Sequence, residues 1–256
     1  MGQALLALPF GLAIGFSLGL VGGGGSILAV PVLVYVLGED VKAATTTSLL
    51  VVAATALVGG VDHARAGHVR WRIALAFAAA GFVGALAGTV LNRAADPDVI
   101  IALFAVVLLA AAYFMARGHW LAPRRAADSR SELLLRVGPA GLGVGVLTGF
   151  LGVGGGFVIL PALVLLLALP MDAAVGTSLI VIALTSATAL LAHLASGSID
   201  WALAGALTAS AVVGALAGSR IGEHVSDRRL RQAFVSLLAI LGIILLGATA
   251  SKLLAI

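Results

Sequence analysis

The stretch GLAIGFSLGLVGGGGSILAVP, from Gly11 to Pro31, occurs a second time as GLGVGVLTGFLGVGGGFVILP, from Gly141 to Pro161. The offset between the two copies is constant, and the same register continues without a gap far beyond the glycines. From Gly11 to Thr89, 31 of 79 positions match the equivalent residue of the second copy. The matches include a His, a Trp and a Pro, which chance similarity between apolar helices would not keep in phase. The chain therefore contains an internal duplication.

The composition excludes a water-soluble protein. The chain has 256 residues, of which 61% are hydrophobic and 10% charged, whereas a soluble domain carries about 25% charged residues. Several apolar runs are long enough to span a bilayer, which takes about 20 helical residues. They must be helical, because lipid offers the backbone no hydrogen-bond partner, and the ~10-residue alternating segments of a transmembrane barrel are absent. We predict an all-α, polytopic membrane helix bundle.

Six spans are clear, and two glycine-rich segments leave a choice. The clear spans are 43–62, 72–91, 98–116, 173–195, 201–219 and 232–250. The glycine-rich segments, 4–37 and 137–168, are each longer than one span and interrupted midway by glycines. Each segment is either one long tilted helix or a hairpin of two arms.

The distribution of basic residues favours the hairpin. If each glycine-rich segment returns to its starting side, the loops 63–72, 117–136 and 220–231 share one side with 12 of the 15 Arg and Lys residues. If each segment crosses once, the division is nine to six. Cytoplasmic loops carry the excess of positive charge, so we expect these three loops in the cytoplasm and both termini outside.

A hairpin plus three spans makes an odd number of crossings, which inverts the second copy. We therefore predict two inverted-topology repeats, related by a pseudo-two-fold axis in the membrane plane, as in many secondary transporters. Residues 1–116 form the first repeat and residues 137–256 the second. Residues 117–136, with five Arg residues, form a cytoplasmic basic linker.

The glycine runs are the first candidate for a substrate site. Consecutive glycines break a helix, and the arm that restarts after the break presents free N–H groups and the positive end of a helix dipole. Such an end binds anions without a charged side chain. The alternative is tight helix packing, which explains the small-residue rows elsewhere in the chain. The glycines predicted to bind substrate are Gly22, Gly23, Gly24, Gly25, Gly152, Gly154, Gly155 and Gly156.

Two pairs of hydroxyl residues are the second candidate. Thr47 and Ser48 match Thr177 and Ser178, and both pairs stand near the start of an apolar span. Ser and Thr are good helix N-caps, which is one explanation. Hydroxyl groups facing a cavity would also supplement backbone N–H groups around an oxyanion, and we predict substrate binding by these four residues.

His63 and His193 are equivalent in the two copies. Ionisable side chains at membrane depth are functional candidates, and His titrates near neutral pH, so proton coupling through this pair is one hypothesis. A shared structural role is the other. Trp71 and Trp201 each open a span and are explained by anchoring at the membrane surface.

Several classes of function lack the residues they need. The chain has no Cys, no phosphate-binding loop and no paired carboxylates within a span, so we expect no enzyme activity, no cofactor and no metal site. The basic residues follow the topology, and we expect no nucleic-acid partner. The expected partners are a small anion and membrane lipid, and the small-residue rows are compatible with a homodimer.

The glycine segments and the threonine–serine motif together resemble the TauE/SafE family of sulfite exporters, also called TSUP, over nearly the whole chain. The departure is Thr46, which stands where the family often has Gly. The resemblance implies an inner-membrane transporter of a small sulfur-containing anion, such as sulfite, a sulfonate or sulfoacetate. We expect export by alternating access around a site at the membrane midplane; a passive anion channel and an importer remain the alternatives. The matching residues are Gly22, Gly24, Gly25, Pro31, Gly152, Gly154, Gly155, Gly156, Pro161, Ala174, Gly176, Thr177, Ser178 and Leu179.

Overall fold

The computed structural model describes residues 2–93, 97–117, 130–151, 156–194, 199–222 and 224–253. These residues form ten α-helices and contain no strand, which confirms the all-α prediction. A π-helical turn, Val32–Val36, extends the second helix. The helices are α1 Gly2–Val21, α2 Gly24–Pro31, α3 Val41–Arg65, α4 Trp71–Arg93, α5 Pro97–Arg117, α6 Arg130–Leu151, α7 Gly156–Leu165, α8 Met171–Leu194, α9 Trp201–Gly222 and α10 Asp227–Leu253.

All six clear spans of the sequence are long helices, namely α3, α4, α5, α8, α9 and α10. Within the described residues, all of these except α5 include an apolar stretch of at least 21 residues, enough to cross a membrane. Most of the apolar stretch is buried in α3 and α8, whereas less than a quarter of it is buried in α10. The equivalent helices α3 and α8 therefore form the centre of the bundle.

The duplication is repeated in the backbone. Helices α3 and α8, α4 and α9, and α5 and α10 begin pairwise at equivalent positions of the two copies. The ends of the short helices match as well: Gly38 and Ala168 are equivalent and have φ values of 73° and 52°. The next residue in each half donates its N–H to a carbonyl six residues back, at 3.0 and 3.1 Å. A left-handed residue precedes the donor in both halves, and the bond spans one residue more than the five of the Schellman motif.

Helix α1 lies directly against the backbone of α9. A Cβ atom on Gly15 would overlap the carbonyl oxygen of Ala211, and one on Gly19 would overlap that of Ala215. The contact positions advance together along both helices, so α1 and α9 run parallel. Rows of small residues allow this close approach between membrane helices.

The equivalent pair, α6 and α4, packs in the same way. A Cβ on Gly145 would overlap the carbonyl oxygen of Gly81, and one on Gly149 would overlap that of Ala85. The first helix of each half therefore packs against the fourth helix of the other half. Because these rows of small residues pack helices against each other within one chain, they no longer argue for a homodimer.

The central helices α3 and α8 run antiparallel. Gly60 of α3 lies against Ile180, whereas His63, further along α3, lies against Gly176, an earlier residue of α8. Two equivalent helices that pack antiparallel are exchanged by an axis perpendicular to them. This arrangement supports the inverted repeats that the loop charges predict.

The start of the second half differs from the predicted linker boundary. Helix α6 begins at Arg130, so residues 130–136 of the predicted linker 117–136 are helical, and residues 118–129 lie outside the described residues. Glu132 and the three leucines that follow it are strong helix formers. The helix therefore begins before the apolar run that the prediction relied on.

The close helix contacts give a stability prediction with a matched control on one helix. Gly145→Ala places a methyl group on the Gly81 carbonyl, and overpacking of this kind costs about 1–3 kcal/mol. Gly143→Ala meets no atom within 4 Å and gains helix propensity. We expect Gly145→Ala to lower the melting temperature in detergent and Gly143→Ala to leave it equal or higher. Equal melting temperatures for the two variants would contradict the α4–α6 packing.

Candidate functional site

The first glycine run reverses the chain inside the bundle. Helix α1 ends at Val21, Gly22 has φ +71°, and α2 begins two residues later. A Cβ on Gly25 would overlap the carbonyl oxygen of Ile14, so α2 folds back along α1. The segment is a hairpin rather than one long helix, and only glycine adopts the conformation of its tip without strain.

The N-terminus of α2 is buried and has no side-chain cap. Gly23 occupies the N-cap position, and no side chain accepts a hydrogen bond from the first turn of the helix. Gly24, Gly25 and Ser26 are all buried. The first N–H groups of a helix lack partners within the helix, and they form the positive end of its dipole.

The tips of the two hairpins meet. A Cβ on Gly23 would overlap the carbonyl oxygen of Gly156, the first residue of α7. Gly152, Gly154 and Gly155 lie outside the described residues. Of the predicted glycines of the second half, Gly156 is therefore the one that the structure brings to the first tip.

Ser26 is a residue of the site that the sequence analysis missed. It is equivalent to Gly156 in the other half, and the space beside Gly156 is filled by the Ser26 hydroxyl. Ser26 Oγ donates a hydrogen bond to the carbonyl of Gly23 at 2.8 Å. The sequence signal was weak, because Ser26 directly follows the glycine run but its equivalent in the other copy is a Gly.

Ser178 holds the first tip in place. Its buried hydroxyl lies 2.8 Å from the carbonyl oxygens of both Gly22 and Val175, the acceptors for its single proton. A Cβ on Gly22 would lie 2.7 Å from this hydroxyl. Ser178 therefore lies at the tip and donates its proton to the backbone; its predicted contact with substrate stays a prediction.

The other three predicted hydroxyl residues are also buried. Thr177 Oγ1 accepts a hydrogen bond from the backbone N–H of Arg70 at 3.1 Å, which ties the α3–α4 loop to α8. Ser48 donates to the carbonyl of Thr45 at 2.8 Å, three residues back, as Ser178 does in the other half. Thr47 is 1% exposed. Of these hydroxyls, that of Thr177 connects two backbone segments, whereas the Ser48 bond lies within α3.

A cavity of about 390 Å³ reaches from the protein surface towards the first tip. Leu20 and Val175 line its inner part, and Val175 also contacts Gly22. His63 and His68 line the cavity from the end of α3, and Asp227 lines it from the start of α10. The cavity is therefore an opening on the side of the bundle where α3 ends and α8 and α10 begin.

The charged groups of the cavity stand at helix starts. His68 Nε2 lies 3.8 Å from Asp172 Oδ2, and both side chains are partly exposed. Asp172 is in the first turn of α8 and Asp227 in the first turn of α10. A carboxylate in the first turn is stabilised by the positive end of its helix, which offsets part of its negative charge.

His63 is buried against the backbone. Its Nδ1 lies 3.0 Å from the carbonyl oxygen of Gly59, and its ring centre is 6.3 Å from that of His68. His193 belongs to α8, but its side chain is outside the described part of the structure. Within that part, no group of three His, Asp or Glu side chains is placed to hold a metal ion.

Comparison with known proteins agrees with this architecture. The chain is 33% identical to a "Probable membrane transporter protein" of Xylella fastidiosa over 228 residues, which is 88% of this chain and 85% of the relative. It is 27% identical to a protein of the same description from Methanocaldococcus jannaschii, over 95% of this chain and 97% of the relative. No solved structure matches the chain significantly.

The family comparison covers almost the whole bundle. The family described as "Sulfite exporter TauE/SafE" matches residues 7–245, a range that contains α2 to α9 and most of α1 and α10. The chain belongs to the TauE/SafE sulfite exporter family and is a multi-pass protein of a transporter family.

Proposed function

We propose that this protein is a secondary transporter that moves a small sulfur-containing oxyanion across the inner membrane, in the direction of export. Sulfite, a sulfonate or sulfoacetate represents the substrate class. The substrate binds between the hairpin tips, near the middle of the bundle. The single observation that carries the proposal is the buried, uncapped N-terminus of α2.

The site chemistry suits an anion that must bind without a salt bridge. The first-turn N–H groups of α2 supply hydrogen-bond donors, and the helix dipole supplies partial positive charge. The tip lies in an apolar bundle, where such a dipole acts in a low dielectric and is weakly screened. The backbone therefore provides the attraction that Arg or Lys provides in soluble anion sites.

The hydroxyl residues act on the backbone in this proposal. Ser178 fixes the Gly22 carbonyl, and Thr177 fixes the loop at Arg70. Both interactions join α8 to an element of the other half. Loss of either hydroxyl would loosen the tip and lower substrate affinity indirectly.

An inverted arrangement of the halves suits alternating access. The 390 Å³ cavity opens on one side of the first tip, and an inverted second half would provide an equivalent path on the other side. Rocking of one half against the other around a fixed central site would open each path in turn. The membrane potential can drive export of a monoanion, at ~2.3 kcal/mol per charge per 100 mV. Coupling to protons through His63 or His193 is an optional addition.

The first prediction concerns substrate flux in proteoliposomes that contain the purified protein. We expect saturable uptake of labelled sulfite or sulfoacetate that is stimulated by unlabelled anion on the opposite side, and little uptake of acetate. Ser178→Ala and Thr177→Val should each weaken apparent affinity about two- to tenfold, since one hydrogen bond contributes ~0.5–1.5 kcal/mol. Trp201→Phe, at the surface, should match the unaltered protein.

The same vesicles separate the carrier from its rivals. Flux that rises with the gradient without saturation, and without stimulation by counter-anion, would indicate an anion channel. Saturable flux that occurs only in the inward direction would indicate an importer. A pH-sensitive dye inside the vesicles reports proton movement, and a signal abolished by His63→Gln would support proton coupling.

The second prediction isolates the contacts of the hairpin tip. Gly22→Ala and Gly38→Ala both place a side chain at positive φ, at 71° and 73°, so their backbone costs are similar, about 1 kcal/mol. The Gly22 methyl would also press on Val175 and Ser178, whereas the Gly38 methyl meets nothing within 4 Å. We expect Gly22→Ala to lose flux and melting temperature well beyond Gly38→Ala. Similar losses would show that the tip contacts have no role.

The third prediction concerns topology. The chain has no Cys, so an introduced cysteine is the only thiol of the protein that the reagent can label. Gly38→Cys and Gly67→Cys are matched, because both glycines have positive φ and both positions are open. We expect an impermeant thiol reagent, added outside intact cells, to label Gly38→Cys alone. Labelling of Gly67→Cys alone would reverse the proposed orientation, with its outside termini and cytoplasmic linker.

A further inference from the structure

Three buried hydroxyl groups have no hydrogen-bond partner among the described residues. Thr208 Oγ1 lies on α9, and the other two, Thr55 Oγ1 on α3 and Ser186 Oγ on α8, lie on the central helices. Thr55 is 0% exposed and Ser186 is 1% exposed. A buried hydroxyl without a hydrogen bond is unfavourable, so each of these two groups needs an explanation.

The helix itself offers both hydroxyls a partner that they do not use. A Ser or Thr in a helix can donate to the carbonyl four residues back. On α8, Thr185 and Thr188 do so, at 2.9 Å to Val181 and 2.8 Å to Leu184. Ser186, which lies between these two residues, does not. The missing hydrogen bond is therefore specific to the Ser186 hydroxyl, because neighbouring hydroxyls of the same helix are bonded.

Ser186 lies on the face of α8 that passes the hairpin tips. Residues four apart share one helix face, and Ser178, Ile182 and Ser186 are spaced in this way. Ser178 bonds the tip at Gly22. The Ile182 side chain lies 3.1 Å from where a Cβ on Gly156 would be. Ser186 is one turn further, on the side away from the cavity.

Thr55 lies at the same level on the neighbouring helix. The contacts of Gly60 with Ile180 and of His63 with Gly176 fix the antiparallel register of α3 and α8. If the same register continues for one more helical turn, Thr55 lies beside residues 184 and 185 of α8. The two free hydroxyls therefore occur at one depth, on the two equivalent helices that form the centre of the bundle.

We propose that Thr55 and Ser186 donate hydrogen bonds to the transported oxyanion on the side of the hairpin tips away from the cavity. This inference rests on the proposed function and names two residues of its binding path. A hydroxyl can donate one proton to an anionic oxygen and needs no charge of its own. The cavity side offers His and Asp side chains, and the far side would offer these two neutral donors.

The distance from the cavity to Ser186 corresponds to about half of the hydrocarbon thickness of a bilayer, which is about 30 Å. Val175, which lines the cavity, and Ser186 are eleven residues apart, about 16 Å along the helix at 1.5 Å per residue. The hairpin tips contact α8 between them. An anion that leaves the tip away from the cavity would therefore reach Ser186 within about one helical turn.

The test compares function with stability in the same variants. Thr55→Val and Ser186→Ala remove the hydroxyls and keep most of the volume. We expect each to reduce sulfite or sulfoacetate flux at low substrate concentration by about tenfold or more, because hydrogen bonds to charged groups are the stronger ones. Neither should lower the melting temperature without substrate, since no protein hydrogen bond is lost.

The controls make the two effects separable. Ser178→Ala breaks a bonded hydroxyl and should lower the substrate-free melting temperature. Thr188→Val alters an exposed hydroxyl that is bonded within its own helix, and its flux should match the unaltered protein. Thr55→Ser keeps the hydroxyl and should retain most of the flux that Thr55→Val loses.

Each contrary outcome has its own meaning. If the unaltered protein carries sulfite or sulfoacetate and both hydroxyl-free variants carry it equally well, this inference is wrong and the proposed function stands. If the two variants melt as early as Ser178→Ala, the hydroxyls are structural and the inference is again wrong. If the unaltered protein carries no oxyanion, the proposed function fails and the inference fails with it.

Discussion

A helix that breaks inside a bilayer must bury or satisfy the backbone groups it frees, because no water is there to bond them. In this chain the break at Gly22 and Gly23 is covered by the other half. Ser178 of α8 donates to the Gly22 carbonyl, and Gly156 of the second hairpin packs on Gly23. The break in the first half is therefore completed by residues of the second half.

The long helices and the hairpins were predictable because they depend on patterns that are local or repeated. Apolar runs of spanning length define the six long helices, and the constant offset between the two copies transfers each boundary from one half to the other. The Arg residues of three loops favoured the hairpin over a single crossing, and the contact of Gly25 with Ile14 agrees with that choice. The early start of α6 at Arg130 was missed, because its first turns lie outside the apolar run.

The partners of the polar side chains were not predictable, because each depends on a residue far away in the sequence. Ser178 bonds Gly22 across 156 residues, and Thr177 bonds Arg70 across 107. From sequence alone, a hydroxyl near a glycine run is equally well explained by a substrate, a helix cap or a backbone carbonyl. The structure assigns the proton of Ser178 to backbone carbonyls and leaves those of Thr55 and Ser186 unpaired within the described residues.

The repeat of the backbone does not extend to the charged residues of the cavity. The cavity beside the first tip is lined by Asp172 and Asp227, and the equivalent positions of the first copy hold Lys42 and Pro97. If the halves exchanged roles during transport, an opposite entrance would have Lys and Pro at the two sequence positions where the first has Asp. An anion would then meet a different potential at each side, and the two conformations would differ in free energy although their helices are equivalent. The preference for one direction would lie in a few residues at the entrances, while the fold and the hairpin tips would serve either direction.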